Sequence, residues 1–333
     1  MTKELMLCES ADENKLDDPG YAAELKADGT HVRVTKDEVS RIFGRPKDSG
    51  TPEYTNRLTE VTDAANALSG SFEVVGEAVV FDEAGRTWFE GSQRRCRTED
   101  PAKQMLLKAK YPVVLLAFDL TELDGKDITR MPWEQRKELL QGLLEDSTQE
   151  AIQYLPHTED RRGFFEEVTL RGEEGVILKR FGSPYVRKRS DIWLKVKKWY
   201  SERCLVVGYT EGTGTRANYF GSLILAKPND DGVLQYAGKV GTGFNNAEVK
   251  HIYKQLESSE VEIKPVDAEQ PYTPVKLDLE VTVKFYETTK NGIFRFPSML
   301  KDQQGNNMIH HQRSIKAVKQ QLSIKDLLAG VKA

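Results

Sequence analysis

Apolar positions in the first two hundred residues fall into short runs and alternations of strand length, interrupted by a few stretches with helical spacing. Tyr21 to Leu25 and His31 to Thr35 are β-compatible runs separated by Ala27-Asp28-Gly29, whose Asp-Gly step favours a tight turn. Phe72 to Phe81 alternates, which puts Glu73 and Glu77 on one face. Val113 to Leu120 is nearly continuous, as in a fully buried strand, and Gly175 to Phe181 and Ile192 to Lys198 add two more. Helices are predicted over Tyr54 to Leu68, Pro132 to Leu144 and Asp160 to Arg171.

From Cys204 onward the pattern shifts to short β runs broken by glycine: Leu205 to Tyr209, Gly221 to Ala226, Leu234 to Val240 and Leu279 to Phe285. One helical stretch, Asn246 to Glu257, interrupts them. Five or so short strands with one helix predict a small closed barrel of the oligonucleotide/oligosaccharide-binding (OB) type. A chain of 333 residues is long for one core and comfortable for two. The expectation is an α+β protein with one domain over residues 1–200 and a β-barrel domain over residues 201–333.

A balance of 38% hydrophobic to 30% charged residues fits a globular chain that folds unaided. Met1 to Leu16 has no apolar run, and no segment approaches the ~18 to 20 apolar residues that cross a bilayer, so a cytoplasmic protein without membrane contact is expected. Cys8, Cys96 and Cys204 are far apart and lack any CxxC or Cys/His spacing, which predicts three buried thiols rather than a disulfide framework or a zinc site. The net charge of -4 conceals two basic stretches. Tyr185 to Arg203 holds seven basic residues against Asp191 and Glu202, and Arg295 to Lys325 holds six against Asp302. Such runs are usually solvated faces, and both are also suited to a polyanion.

The segment Glu24-Leu25-Lys26-Ala27-Asp28-Gly29 sets a lysine at the end of a strand, immediately before a glycine turn. Alone, Lys-x-Asp-Gly marks little more than a surface lysine beside a turn. It gains meaning from further segments in a fixed order: Phe72-Glu73-Val74-Val75-Gly76-Glu77, Ala117-Phe118-Asp119-Leu120 with Leu123-Asp124-Gly125, Glu173-Glu174-Gly175-Val176-Ile177-Leu178-Lys179, and Trp193-Leu194-Lys195-Val196-Lys197. Over nearly the whole chain this series resembles the covalent nucleotidyltransferases, namely the ATP-dependent DNA ligases, RNA ligases and mRNA capping enzymes.

The resemblance implies an α+β, ATP-grasp-like nucleotidyltransferase domain of antiparallel sheets with helices, followed by an OB-fold domain. It implies that Lys26 attacks the α-phosphate of a nucleotide, that Glu77 contacts the ribose or a metal, and that the ring of Phe118 stacks on the base. Glu174 corresponds to a metal-associated glutamate, and Lys195 and Lys197 to the lysines that hold the α-phosphate. Arg45, in Phe43-Gly44-Arg45, resembles the arginine that contacts the nick or phosphate, and Arg189 another nucleotide-contacting arginine. Glu24 resembles the ligase residue that recognises the adenine amino group; a carboxylate accepts from that amine and would repel the oxygen of guanine, which favours ATP over GTP.

These residue types suit the chemistry. An amine with a pKa near ~10.4 is almost wholly protonated at neutral pH, so a lysine nucleophile needs cationic neighbours or burial to lose its proton. Lys195 and Lys197, two apart on a strand, share a face with Trp193 and leave Leu194 and Val196 to the core. Glu77 and Glu174 are suitable ligands for Mg²⁺, or Mn²⁺ in its place, at the departing pyrophosphate. By the same parity Lys179, five residues from Glu174, is expected to face the other way unless a bulge intervenes.

Two positions depart from the family pattern. The arginine usual five positions after the lysine is replaced by His31, and the nearest arginine is Arg33. Phe294-Arg295-Phe296-Pro297-Ser298 resembles the start of the last motif, but its Arg-x-Asp-Lys end is absent, with Lys301-Asp302 or Arg313-Ser314-Ile315-Lys316 as substitutes. In the second domain, Val207-Gly208-Tyr209, Gly212-Thr213-Gly214-Thr215-Arg216, Phe220-Gly221-Ser222-Leu223 and Gly238-Lys239-Val240-Gly241-Thr242-Gly243-Phe244 resemble the barrel of archaeal and bacterial ATP-dependent DNA ligases. The expectation is a minimal, monomeric, ATP- and Mg²⁺-dependent ligase acting on nicked duplex DNA. The alternatives are an RNA ligase, a guanylyltransferase, or a catalytically silent nucleic-acid-binding relative.

Overall fold

In the computed structural model, which describes residues 4–145, 150–257, 264–276, 279–289, 291–302 and 304–311, contacts divide the chain into two units, Met1–Lys198 and Trp199–Ala333. The first unit is built on two sheets. One comprises β1 (Leu7–Ser10), β2 (Tyr21–Leu25), β9 (His157–Thr158), β10 (Gly175–Arg180) and β11 (Arg189–Lys197), in the order β1-β11-β10-β2-β9. The other comprises β3 (Thr30–Lys36), β4 (Ser40–Gly44), β5 (Phe72–Val79), β6 (Val114–Leu123) and β7 (Lys126–Asp127) in the order β4-β3-β5-β6-β7, with β8 (Ile152–Tyr154) parallel to β6.

Period-2 alternation assigns each strand a core face and a face toward the opposite sheet. Val32, Val34, Val74, Ala78, Leu115 and Ala117 enter a core with Val61, Ala64 and Ala65 of α1 (Thr59–Ala67) and Leu140 and Leu144 of α4 (Trp133–Glu145). Ala23, Val176, Leu178, Leu194 and Val196 pack with Phe165 and Val168 of α5 (Arg161–Leu170). Their neighbours of opposite parity meet between the sheets, where Val75, Trp193, Phe118 and Ile177 form one cluster and Val79, Leu116, Leu25 and Phe118 another.

Two helices of this unit, α2 (Phe89–Arg97) and α3 (Pro101–Lys110), lie outside the predicted set. The start of α3 was signalled: Asp100 accepts from the backbone N–H groups of Ala102 and Lys103, and Pro101 occupies the first turn. The segment of α2 is strongly polar, and its buried face consists of Gly91, Ser92, Arg95 and Cys96, so it offers no apolar stripe to read.

The Asp-Gly step between β2 and β3 closes no hairpin, because the two strands belong to different sheets. The turn carries the chain from one sheet to the other. Its backbone donors find partners on either side: Lys26 N–H continues the β2–β10 pairing by donating to Gly175 O at 3.0 Å, and Asp28 N–H donates to Thr87 Oγ1 at 3.0 Å. Gly29 lies so close to β5 that a Cβ would stand 2.4 Å from the carbonyl oxygen of Ala78.

The second unit is built on a seven-stranded sheet. β12 (Tyr200–Glu211), β13 (Phe220–Pro228), β14 (Leu234–Val240), β16 (Leu279–Phe285) and β19 (Ser298–Met299) follow the order β14-β13-β12-β16-β19. β15 (Thr273–Pro274) pairs with β12 and β20 (Ile309–His311) with β16, while β17 (Glu287–Thr288) and β18 (Phe294–Arg295) form a separate ribbon. α6 (Asn246–Glu257) buries Val249, Ile252 and Leu256 against Val206, Phe220 and Val281 of the sheet. No helix of the described residues is long and apolar enough to cross a membrane.

Candidate active site

Between the two sheets of the first unit lies a pocket whose wall includes Glu24, Lys26, Arg45, Glu77, Phe118, Arg189 and Lys195. Lys197 and Glu174 are not part of that wall but join it through Lys26: the Glu174 carboxylate pairs with the Lys26 ammonium on one oxygen and with the Lys197 ammonium on the other. The strands therefore bring together side chains from β2, β3, β5, β6, β10 and β11, a sequence span of more than 150 residues reduced to one cleft.

Charge is concentrated at the Lys26 end. Burial alone would lower the Lys26 pKa, but the carboxylates of Glu174, Glu77 and Asp28 outweigh it and hold the amine above its ordinary value. Burial likewise opposes ionisation of Glu174, and Lys26 and Lys197 overcome it, holding that carboxyl below the usual range. Glu77 lies deeper, and burial pushes its pKa up to about 8 despite the nearby Lys26. Burial, Lys197 and Arg189 all depress Lys195, so this amine gives up its proton more readily than a surface lysine. Arg189 donates to the carbonyl of Cys8 at 2.6 Å, which fixes the start of β11 against β1.

Another part of the wall is aromatic. Trp193 meets Phe118 edge-on with ring centroids 5.8 Å apart, and the His31 ring tilts against Phe118 at 5.4 Å. Burial, with Lys179 and Arg45 nearby, lowers the His31 pKa to about 4, so its imidazole is neutral, and its enclosed Nε2 meets no hydrogen-bond partner among the described residues. Arg33 is no substitute for an arginine at position 31. Although it shares the face of β3 with His31, its guanidinium is drawn to the buried Glu73 and lies over the Phe43 ring, 4.4 Å from its centroid.

Lys179 is the main correction to the strand-parity reading. It lines the pocket, 1% exposed, with its ammonium 2.7 Å from Glu24 Oε2 and within 4.4 Å of both the Phe118 and Trp193 ring centroids. Ile177 and Lys179 share the inward parity, opposite Val176 and Leu178 in the core; that alternation was available in the sequence. Glu174 reaches the same site because it precedes β10, and Gly175 breaks the alternation with φ 141°. Lys137 of α4, which no motif singled out, pairs with Glu24 Oε1 at 2.8 Å.

Three further expectations are revised. Cys8 is only partly buried and lines the pocket, whereas Cys96 and Cys204 are buried. The basic run from Tyr185 to Arg203 is divided: Arg187 pairs with Glu73, Lys197 with Glu174, and Arg189 and Lys195 line the pocket, while Lys188 and Arg203 are exposed. Of the substitutes for the last motif, Lys301 pairs with Glu248 at 3.3 Å and Asp302 accepts from the backbone of Gln304 and Asn306, while Arg313 to Lys316 lie outside the described residues.

A family model described as an ATP dependent DNA ligase domain matches residues 5–197, and a model of the ATP dependent DNA ligase C terminal region matches residues 216–304. The multifunctional non-homologous end joining protein LigD of Pseudomonas aeruginosa is 31% identical over 287 residues, which cover 83% of this chain and 32% of that protein. A probable DNA ligase of Dictyoglomus thermophilum is 29% identical over 290 residues, 82% of this chain and 49% of that protein. The chain thus spans between 32% and 49% of the length of these relatives. Among solved structures, the ligase domain of Mycobacterium tuberculosis LigD is 28% identical with a TM-score of 0.52, covering 89% of this chain and 93% of that one. A Lig E DNA ligase structure, at 21% identity and a TM-score of 0.60 over 90% and 99% of the two chains, shares the fold.

Proposed function

Since the chain belongs to the ATP-dependent DNA ligase family, we propose that it seals nicks in duplex DNA with ATP, through an AMP adduct on Lys26 and an adenylated DNA end. The observation that carries this reading is the placement of the Lys26 amine in one cleft with the cations Lys195, Arg45 and Arg189 and the ring of Phe118. A mononucleotide needs that combination: cations for the phosphates, an aromatic face for the base, and a nucleophile within reach. A mycobacterial DNA ligase D structure described as complexed with ATP, 28% identical to this chain with a TM-score of 0.51, supports the choice of nucleotide.

In the first step the neutral Lys26 amine attacks the α-phosphorus, a P–N bond forms and the P–O bond to pyrophosphate breaks. Lys195, Lys197 and Arg189 offset the negative charge that moves onto the phosphate oxygens. The Lys26 proton has Glu174 beside it as acceptor. The phosphorus then passes from nitrogen to a DNA 5′-phosphate oxygen, and finally the adjacent 3′-hydroxyl displaces AMP and closes the phosphodiester.

Glu77 and Glu174 provide the hard carboxylate oxygens that suit Mg²⁺ or Mn²⁺. Among the described residues no group of three or more His, Cys, Asp or Glu side chains could hold a metal ion, so a cation there would complete its shell with phosphate and water oxygens. When bound, such a cation supplies charge neutralisation at the departing pyrophosphate.

Incubation with α-labelled ATP and Mg²⁺, followed by a nicked duplex, tests the reading. Covalent label on the wild type, none on Lys26→Ala, and sealing of DNA are expected. Label from GTP in preference to ATP, sealing of RNA but not DNA, or no label at all would replace this reading with one of its alternatives.

A further inference from the structure

Glu24 is a carboxylate on the pocket wall, 1% exposed, with an ammonium beside each oxygen: Lys179 Nζ lies 2.7 Å from Oε2, and Lys137 Nζ forms an ion pair 2.8 Å from Oε1 without hydrogen-bond alignment, which leaves Oε1 an unmatched acceptor. Both lysines are anchored independently. Lys137 donates to the Leu155 carbonyl at 2.6 Å and lies 4.1 Å from the Tyr154 ring centroid; Lys179 donates to the Phe118 carbonyl at 2.9 Å. Two anchored cations leave the carboxylate one orientation, with each oxygen keeping a free lone pair. Lys179 and Glu24 both line the pocket, but Lys137 does not; it comes from α4 and meets the wall at Glu24 and Leu155.

Resting on the reading of this pocket as an adenine nucleotide site, we propose that Lys137 is a positioning residue for nucleobase selection, acting through Glu24. With the carboxylate plane held by Lys137, the free lone pairs are aimed at the exocyclic amine of a base stacked on Phe118. A site built around a buried acceptor discriminates strongly against a ligand that lacks the matching donor, because the acceptor is then left without a partner. Without Lys137 the carboxylate pivots onto Lys179, and the acceptor is no longer aimed.

The test compares ATP with purine riboside 5′-triphosphate, which lacks the 6-amino group, as donors of covalent label to the wild type, Lys137→Met, Lys137→Arg, Glu24→Gln and the double variant Glu24→Gln with Lys137→Met. Lys137→Met is expected to raise KM for ATP by about tenfold while changing kcat little, and to leave KM for the analogue nearly unchanged, so that the preference for ATP collapses. Lys137→Arg, which keeps a cation, should restore part of that preference. Once Glu24→Gln is present, adding Lys137→Met should not change the ratio further, and this double-variant comparison decides the question even where the single variant folds poorly. Equal losses with both nucleotides, or additive effects of the two substitutions on the ratio, would assign Lys137 a structural role only. Absence of label from either nucleotide on the wild type would instead sink the underlying reading of the pocket.

Discussion

Lys26 and Glu174, 148 positions apart in sequence, form an ion pair that places the proposed nucleophile beside a carboxylate in its protonated form. An amine attacks only when neutral, and its pKa is held above the ordinary value, so the reactive fraction grows with pH throughout the neutral range. The single-turnover rate of label transfer from ATP to Lys26 is expected to climb about tenfold per pH unit between pH ~6.5 and ~8.5. A flat profile over that interval would mean that the proton has already left before the rate-limiting event.

Phe118, less deeply buried than the Trp193 beside it, is the ring proposed to stack on the base, and its replacement separates stacking from packing. Phe118→Leu keeps most of the apolar volume beside Trp193 and Ile177 but removes the π-face. Stacking of a base on an aromatic ring contributes ~1 to 3 kcal/mol, so KM for ATP should rise about tenfold to a hundredfold. A lowered thermal melt with unchanged KM would make Phe118 a core residue and not the base platform.

Much of this arrangement was legible from alternation alone. Trp193, Lys195 and Lys197 face the cleft side while Leu194 and Val196 enter the core, as the pleat requires. What alternation could not show is where one sheet ends and the other begins: β2 and β3 look like a hairpin in sequence, and only the bonds from Lys26 and Asp28 to distant partners separate them. Lys137 was invisible for a related reason. Its role depends on α4 packing over β6 and β8, a long-range contact that helical periodicity places on no particular partner. Glu174 was found through its motif and Lys179 was set aside by parity, because the parity count was carried through Gly175, where the backbone leaves the strand conformation.

His31 offers a stability test that is independent of catalysis. In the unfolded chain its imidazole takes a proton near pH 6.5, whereas in the fold it does so only near about 4. Between those values the unfolded state binds the extra proton, so acidification from pH ~7 to ~4 removes up to about 3 kcal/mol of stability through this residue. His31→Gln lacks the titration. Urea midpoints measured across this range should therefore fall less steeply for His31→Gln than for the wild type, and parallel curves would show that the imidazole is protonated without penalty in the fold.

Asp119 follows Phe118 directly, and its carboxylate is held by Arg136 Nε at 2.8 Å and a second guanidinium nitrogen at 2.9 Å, with both side chains 0% exposed. Arg136 also donates to the carbonyls of Met131 and Ser183, tying α4 to the loop after β10. Arg136→Met leaves a buried carboxylate without its cation, a change that costs ~3 to 5 kcal/mol, and should lower the urea midpoint accordingly. Replacing both partners, as Asp119→Leu with Arg136→Met, removes the unpaired charge but still strands the two carbonyls. Its stability is therefore expected to lie between that of the single variant and the wild type. If the double variant were no more stable than Arg136→Met, the damage would come from the lost carbonyl contacts and not from the buried charge.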